Sequence, residues 1–575
     1  MKRISNQEVA RIIAEIGEYL DMEGVPFKPR AYEKAAQVVG DLDQSLSELY
    51  QTGGLKALEQ IPGVGTSIAK KIEELLKTGR LKYYDELKKK IPVDLSGLRK
   101  IEGLGPKSIK KLYEKLGVRT VADLEKAAKA GKISKLEHFG AKSEENILKG
   151  LEFLKKATGR FLLGMALPIG RKIEARLKGL EEVERVTLAG SLRRRKETIG
   201  DLDILVVSKK PMPVMDFFVS MPEVVRVTAH GETKSAVKLE SGLDVDLRVV
   251  PAESYGAALN YFTGSKDHNV TLREMALAKG WKLNEYGLFK GKKQLAGRTE
   301  EELYAALGME YVPPEMRENT GEIELAKKHK LPKLIGYDDL QGDLQIQTDW
   351  TDGADTIEAY AQAAIERGLK YIAITDHTKR LAMTGGLDEK KIRRQWAEID
   401  RVQKKIGSKL KILKGTECDI LKDGSLDLDD ETLGRLNVCG VAVHSHFDLS
   451  REEQTKRIIR AINNPNVDIL FHPTGRLIGK REAYDVDMDA IIKAAKETGT
   501  VLEIDAFPDR LDLKDEHIKK CVAAGVKLAI DTDAHAIAHL DFLEYGIAQA
   551  RRGWAEKSDV INTRPLEALL KLLKK

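Results

Sequence analysis

The sequence predicts a multidomain chain of mixed α+β and α/β class: an all-helical N-terminal third, a middle built on a mixed sheet, and a C-terminal distorted β/α barrel. Three observations predict it. Residues 6–151 carry apolar positions at helical spacing, punctuated by Gly-x-Gly turns. Residues 186–250 hold short apolar strands with alternating carboxylates. Beyond residue 336, short apolar runs end in polar clusters and are followed by helical stretches. At 575 residues the chain can hold three or more domains with buried cores.

Composition narrows the class. The net charge is only +6, yet residues 61–120 hold 15 Lys/Arg against 7 Asp/Glu, which places a polyanion there. The three cysteines, Cys418, Cys439 and Cys521, form no CxxC pair and suit core packing in a reducing compartment. No apolar run approaches a membrane span and the N-terminus lacks a signal-peptide core, so a cytoplasmic, nucleoid-associated protein without a membrane partner is expected.

In chain order, residues 6–39 read as two or more amphipathic helices broken at Gly24-Val25-Pro26. IPGVGTSIAKKIEELL (61–76) and IEGLGPKSIKKLYEKL (101–116) follow, each with an apolar residue, a Gly-x-Gly turn and a basic amphipathic helix. Gly63 and Gly65, and Gly103 and Gly105, expose consecutive N–H groups at a helix start, where hydrogen bonds and the helix dipole both favour phosphate. Such hairpins hold a sugar-phosphate chain without reading sequence. One alone is as often a plain helical turn; two in a basic segment favour DNA, and a third, less regular copy lies around Phe139-Gly140-Ala141.

The middle third turns on VTLAGSLRRRKETIGDLDILVVS (186–208). Asp201 and Asp203, two apart on a strand, share one face, and Asp246 in the alternating strand 243–250 can join them. Three carboxylates suit Mg²⁺ or Mn²⁺, hard cations that leave places for phosphate oxygens. A lone DxD is more often a solvated face; here Gly190 allows close backbone approach to an anion, and Ser191 and Arg194 offer a hydroxyl and a fork of donors.

These residues resemble the GSxRR and GDxD signature of the X family of DNA polymerases, whose founding type is polymerase beta. The resemblance extends to PFKPRAYEKAA (26–36), to the hairpins as helix-hairpin-helix motifs, and to Tyr261-Phe262-Thr263-Gly264-Ser265, read as an exposed turn. It implies a lyase-like helical domain (1–85), a fingers-type domain (86–157), a nucleotidyltransferase palm (158–252), a thumb (253–318) and a linker (319–335). It implies that Asp201, Asp203 and Asp246 are catalytic metal ligands and that Gly190, Ser191 and Arg194 hold the triphosphate. By the same resemblance Tyr261, Phe262 and Gly264 would cup the sugar, Asn269 meet the new base pair and Arg273 the template. Lys28 falls in the family's 5′-phosphate pocket and Lys71 at its Schiff-base lysine, although Ser67 replaces a second pocket lysine; a solvated lysine beside DNA is the alternative. The partners implied are gapped or primer-template DNA and dNTPs, and the state a monomer.

The C-terminal runs at 371–377, 411–419, 438–446, 467–473, 501–506 and 527–535 place His377, Glu417, His444, His472, Asp533 and His535 at strand ends, where a β/α barrel gathers its ligands. This part resembles the PHP domain (336–575), a metallohydrolase whose three Zn²⁺, Mn²⁺ or Fe²⁺ ions support 3′→5′ exonuclease in the family. The family's DLHxHTxxSDG motif reads DLQIQTDWTDG here (343–353), with Gln345 and Gln347 in place of both histidines. Glutamine is a poor exchange for imidazole. The resemblance leaves one ion with only Glu417 and Asp533, a second with Glu417, His444 and His472, and a third with Asp352, His377 and His535, so the cluster is expected incomplete and the exonuclease weakened or lost. Two rival readings are a PHP phosphoesterase docked on DNA by the polymerase half, and a DNA-binding scaffold without catalysis.

Overall fold

The computed structural model describes residues 4, 6–40, 42, 44–101, 104–137, 139–157, 159–381 and 384–573. The N-terminal third is helical, with Asn6–Met22, Lys28–Gly40, Leu46–Glu59, Thr66–Thr78, Lys82–Lys90, Pro106–Leu116 and Ala141–Ala157 among its helices. Their apolar stripes meet in one core containing Ile13, Ile16, Leu58, Ile72, Leu98 and Ile109. Gly65 and Gly105 cap the two basic helices in extended backbone, with no side chain occupying the cap. A Cβ at either would meet nothing within 4 Å, so these helix starts stand open. Gly63 adopts a φ of +76°, which favours glycine, whereas Gly103 lies outside the described residues.

The middle region carries a five-stranded sheet in the order Arg185–Leu188, Asp201–Val207, Asp244–Val250, Lys234–Leu239, Val224–Ala229. Asp201–Val207 and Asp244–Val250 run parallel, and the rest of the pairings are antiparallel. Alternation separates the faces: Leu202, Ile204 and Val206 enter the main core, while Leu205 and Val207 pack on Tyr255 and Ala258 of the next helix. Asp201 and Asp203 therefore belong to the face that looks toward the Tyr255–Thr263 helix.

Tyr261–Thr263, expected in an exposed turn, form the last turn of that helix, because Thr263 is buried and accepts from Arg193 Nη1 at 2.7 Å. The stretch expected as a linker at 319–335 is partly folded. Its Glu322–Lys327 helix sends Ile323 and Ala326 into the same core as Leu272, Leu303 and Tyr304. Its charged composition conceals this because the buried Glu322 is satisfied internally, by His268 at 2.8 Å and by the N–H groups of Asn319 and Thr320.

Beyond it, seven parallel strands follow in sequence order, Gly342–Ile346, Tyr371–Ile374, Lys411–Asp419, Val438–Ala442, Ile469–Leu470, Val501–Asp505 and Leu528–Asp531. A parallel bridge between Ile346 and Ala534 brings the last strand back to the first, so the barrel is nearly closed. Cys418, Cys439 and Cys521 are buried in it and none is part of a disulfide. Among the described residues no helix is long and apolar enough to cross a membrane.

Candidate functional site

Parallel pairing sets Asp203 directly opposite Asp246, with Asp201 one pleat away at the start of its strand. Beside them lies a cleft of about 550 Å³ whose lining includes Gly190, Ser191, Arg194, Asp201, Asp203, Tyr261, Phe262, Gly264, Asn269 and Arg273. Gly190 sits at a φ of +60°, and a Cβ there would fall 2.1 Å from Asp203 Oδ2. Only glycine leaves that carboxylate its place. Burial, then the neighbouring Asp201 and Asp246, push the Asp203 carboxyl up to about 7. A carboxylate held so unfavourably has a deficit of positive charge that a cation would fill.

The three carboxylates are not drawn into one tight group, since Asp246 Oδ2 pairs with Lys234 Nζ at 2.6 Å. Sequence reading missed Lys234, which pairing places two strands from Asp203. Arg194 is half-buried: its guanidinium donates to the Thr263 carbonyl and, through Nε, to Glu318 at 3.2 Å. Arg193 turns the other way, onto buried Glu300 at 2.6 Å, which also pairs with Arg317 at 2.5 Å. Tyr261 and Phe262 meet edge to face with centroids 5.1 Å apart, and Arg248 lies over Phe262 at 4.6 Å. Asn269 is nearly buried, with its amide donating to the Tyr261 carbonyl at 2.7 Å, whereas Arg273 is exposed.

In the helical region Lys28 is exposed at a helix start. The Lys71 ammonium lies 4.9 Å from the Tyr83 ring centroid and donates to Ser67 Oγ at 3.1 Å.

At the carboxyl ends of the barrel strands the structure gathers two groups that can each hold a metal ion, Asp352 with His377 and His535, and His377 with Glu417 and His444. His472 Nε2 lies 2.8 Å from the same Glu417 oxygen that His444 approaches at 2.9 Å. Burial alone would raise the Glu417 carboxyl; the imidazoles of His377, His444 and His472 hold it well below the usual carboxylate range. Buried His377 Nδ1 makes no hydrogen bond within the protein, as a metal-facing atom would, and Asp352 turns Oδ2 toward His377 Nε2 at 3.6 Å and His535 Nε2 at 3.8 Å. Gln347 differs: its amide nitrogen donates to Glu417 Oε2 at 2.7 Å, aiming N–H where a third ion would need a lone pair. Asp533 is in neither three-residue group: its Oδ2 faces Arg510 at 3.5 Å while its Oδ1 lies 3.9 Å from His535 Nδ1, and Arg510 also reaches Asp505 at 3.3 Å. Neither Arg510 nor Asp505 was legible beforehand, since one sits in a loop and the other at the end of an ordinary apolar strand.

A mixed sheet with an acidic edge, a basic glycine-turned loop and open helix starts defines a nucleotidyl-transferring polymerase, here fused to a histidine-lined barrel. Family models match in the same order: a helix-hairpin-helix domain at 4–81, a SAM-like helix-hairpin-helix tandem at 95–152, the DNA polymerase beta thumb at 258–318 and the PHP domain at 343–506. The chain is 38% identical over 574 residues to the DNA polymerase/3'-5' exonuclease PolX of Bacillus subtilis, covering 99% of each chain. It is 23% identical over 343 residues to DNA polymerase lambda of Rattus norvegicus, covering 54% of this chain and 56% of that one. It is 30% identical over 220 residues to a probable phosphatase of Thermoanaerobacter sp. (strain X514), covering 36% of this chain and 84% of the relative. The chain belongs to the bacterial X-family DNA polymerases of the PolX type, with helix-hairpin-helix, polymerase beta-like and PHP parts.

Proposed function

We propose that the chain extends a primer 3′-hydroxyl on gapped or primer-template DNA, filling short gaps in repair as a monomer in the cytoplasm. The observation that carries this reading is Asp203, set opposite Asp246 by strand pairing, lining a cleft with Asp201, Ser191 and Arg194. Asp201, Asp203 and Asp246 would hold Mg²⁺ or Mn²⁺, which when bound acidifies the primer hydroxyl and offsets charge on the triphosphate. Arg194 and Ser191 grip the triphosphate oxygens. Tyr261, Phe262 and Gly264 form the wall for the sugar, Asn269 braces that wall through the Tyr261 carbonyl, and Arg273 faces the template. Gly63, Gly65, Gly105 and Lys28, with Gly103 by its place in the second hairpin sequence, would hold the DNA backbone. Primer extension tests this: Asp203→Ala abolishes incorporation, and full activity in that variant overturns the assignment.

The barrel takes a second reading, a metal site reduced from three ions to one or two, since both candidate groups draw on His377. Asp352, His377 and His535, and His377, Glu417 and His444, would hold Zn²⁺, Mn²⁺ or Fe²⁺. The Gln347 amide on Glu417 argues for weak or absent 3′→5′ exonuclease. For Lys71, a lyase role predicts a borohydride-trapped adduct with 5′-deoxyribose-phosphate DNA that Lys71→Ala abolishes; a lysine that only flanks DNA gives no adduct.

A further inference from the structure

The barrel touches the palm where the phosphate-binding loop turns. Arg552 ends the Leu543–Arg552 helix, and its side chain is only 3% exposed. Its Nη1 donates to the Arg194 carbonyl at 2.9 Å and to Glu318 Oε1 at 3.1 Å, the same oxygen that accepts from Arg194 Nε. Its Nη2 donates to Asp515, the first residue of the neighbouring barrel helix. One barrel guanidinium thus holds both the backbone of Arg194 and the carboxylate that aims the Arg194 side chain. Nearby barrel groups grip the next residues. Arg195, at a φ of +53°, lies with its guanidinium over the Tyr337 ring at 5.8 Å, and Glu197 pairs with Arg476 at 2.8 Å. A non-glycine residue in the left-handed region is held there by its surroundings, and these barrel contacts add to the palm's own bonds from Arg195 N–H to Leu192 O and Lys196 N–H to Ser191 O.

Resting on the polymerase reading above, we propose that Arg552 is a positioning residue for nucleotide binding, a barrel side chain that sets the Arg194 fork toward the incoming triphosphate through Glu318. The barrel then serves polymerisation whatever its own metal content. A bidentate arginine to phosphate depends on orientation, and without Arg552 both the Glu318 carboxylate that Arg194 pairs with and the Arg194 carbonyl lose their anchor, so the Arg194 side chain samples other rotamers. The loss falls on triphosphate binding more than on the chemical step. General adhesion between barrel and palm makes a different prediction, because the Arg171–Glu544 pair also crosses this interface, at 2.8 Å, without touching the cleft.

The test measures steady-state dNTP incorporation by the full chain on gapped DNA for Arg552→Ala, Arg552→Lys, Asp515→Asn, Arg171→Ala and Arg194→Ala. Arg552→Ala is expected to raise KM for dNTP about tenfold with kcat within about threefold, the signature of lost binding. Arg552→Lys, whose single ammonium cannot serve three acceptors in a plane, falls between it and wild type. Arg171→Ala leaves both constants within about twofold. If Arg552→Ala does not fold, Arg552→Lys and Asp515→Asn carry the test, both with raised KM. An unchanged KM in the Arg552 or Asp515 variants, or an equal rise in Arg171→Ala, overturns the proposal. Arg194→Ala with unchanged KM, or Asp203→Ala with full incorporation, overturns instead the polymerase reading beneath it.

Discussion

Replacing Glu300 with Gln tests the junction between sheet and thumb. Glu300 is 4% exposed, starts the Glu300–Leu307 helix, and is shared by Arg193 at 2.6 and 3.0 Å and Arg317 at 2.5 Å. Burial by itself would raise its carboxyl; Arg317 and Arg193 overcome that and hold it down to about 2, against 4.5 in the free side chain. Each pH unit is worth about 1.4 kcal/mol, so a gap of about 2.5 units contributes about 3 kcal/mol at neutral pH. A carboxyl kept ionised by the fold but free to protonate in the unfolded chain lends stability above pH 4.5, and loses it as pH falls toward 2. Glu300→Gln should therefore lower the opening free energy of the Glu300–Leu307 helix by about 3 kcal/mol at pH 7, and the difference from wild type should shrink below pH 4.5. Native-state hydrogen exchange read by mass spectrometry checks both, since it isolates this helix from the remaining domains. A change under about 0.5 kcal/mol at pH 7, or a difference that stays constant down to pH 3, would refute the reasoning.

Three further outcomes follow from the same geometry. Gln345→His together with Gln347→His should raise Mn²⁺-dependent release of 3′ nucleotides at least about tenfold, because imidazoles then replace the amide hydrogen-bonded to Glu417; no gain in a gel-based exonuclease assay counts against the lost-ion account. Asp203 is raised to about 7 by burial and its acidic neighbours. Its penalty to the metal-free fold is absent below pH 3.8 and complete above 7, so Mg²⁺ uptake near pH 6 should release a proton, measurable by titration calorimetry in buffers of different ionisation enthalpy; Asp203→Asn should lose that release. Gly190→Ala should reduce primer extension by at least about a hundredfold, since the added methyl meets Asp203 Oδ2 and its φ is unfavourable to alanine; activity near wild type would show that the loop yields.

Much was legible along the chain because it depends on local spacing. Helical periodicity and Gly-x-Gly turns announced the helical third, alternation announced the strands that carry Asp201, Asp203 and Asp246, and apolar runs closed by His, Glu or Asp announced the barrel. Tertiary structure alone decided the pairings. Lys234 reaches Asp246 because a neighbouring strand brings it there, and Arg193 and Arg194, adjacent in sequence, point to Glu300 and Glu318 respectively. Arg510 meets Asp533, and Arg552 meets the Arg194 backbone 358 positions away. Period and turn chemistry are properties of neighbouring residues and can be read from their order. The partner of a buried charge is chosen by how distant segments pack, and no local pattern encodes that.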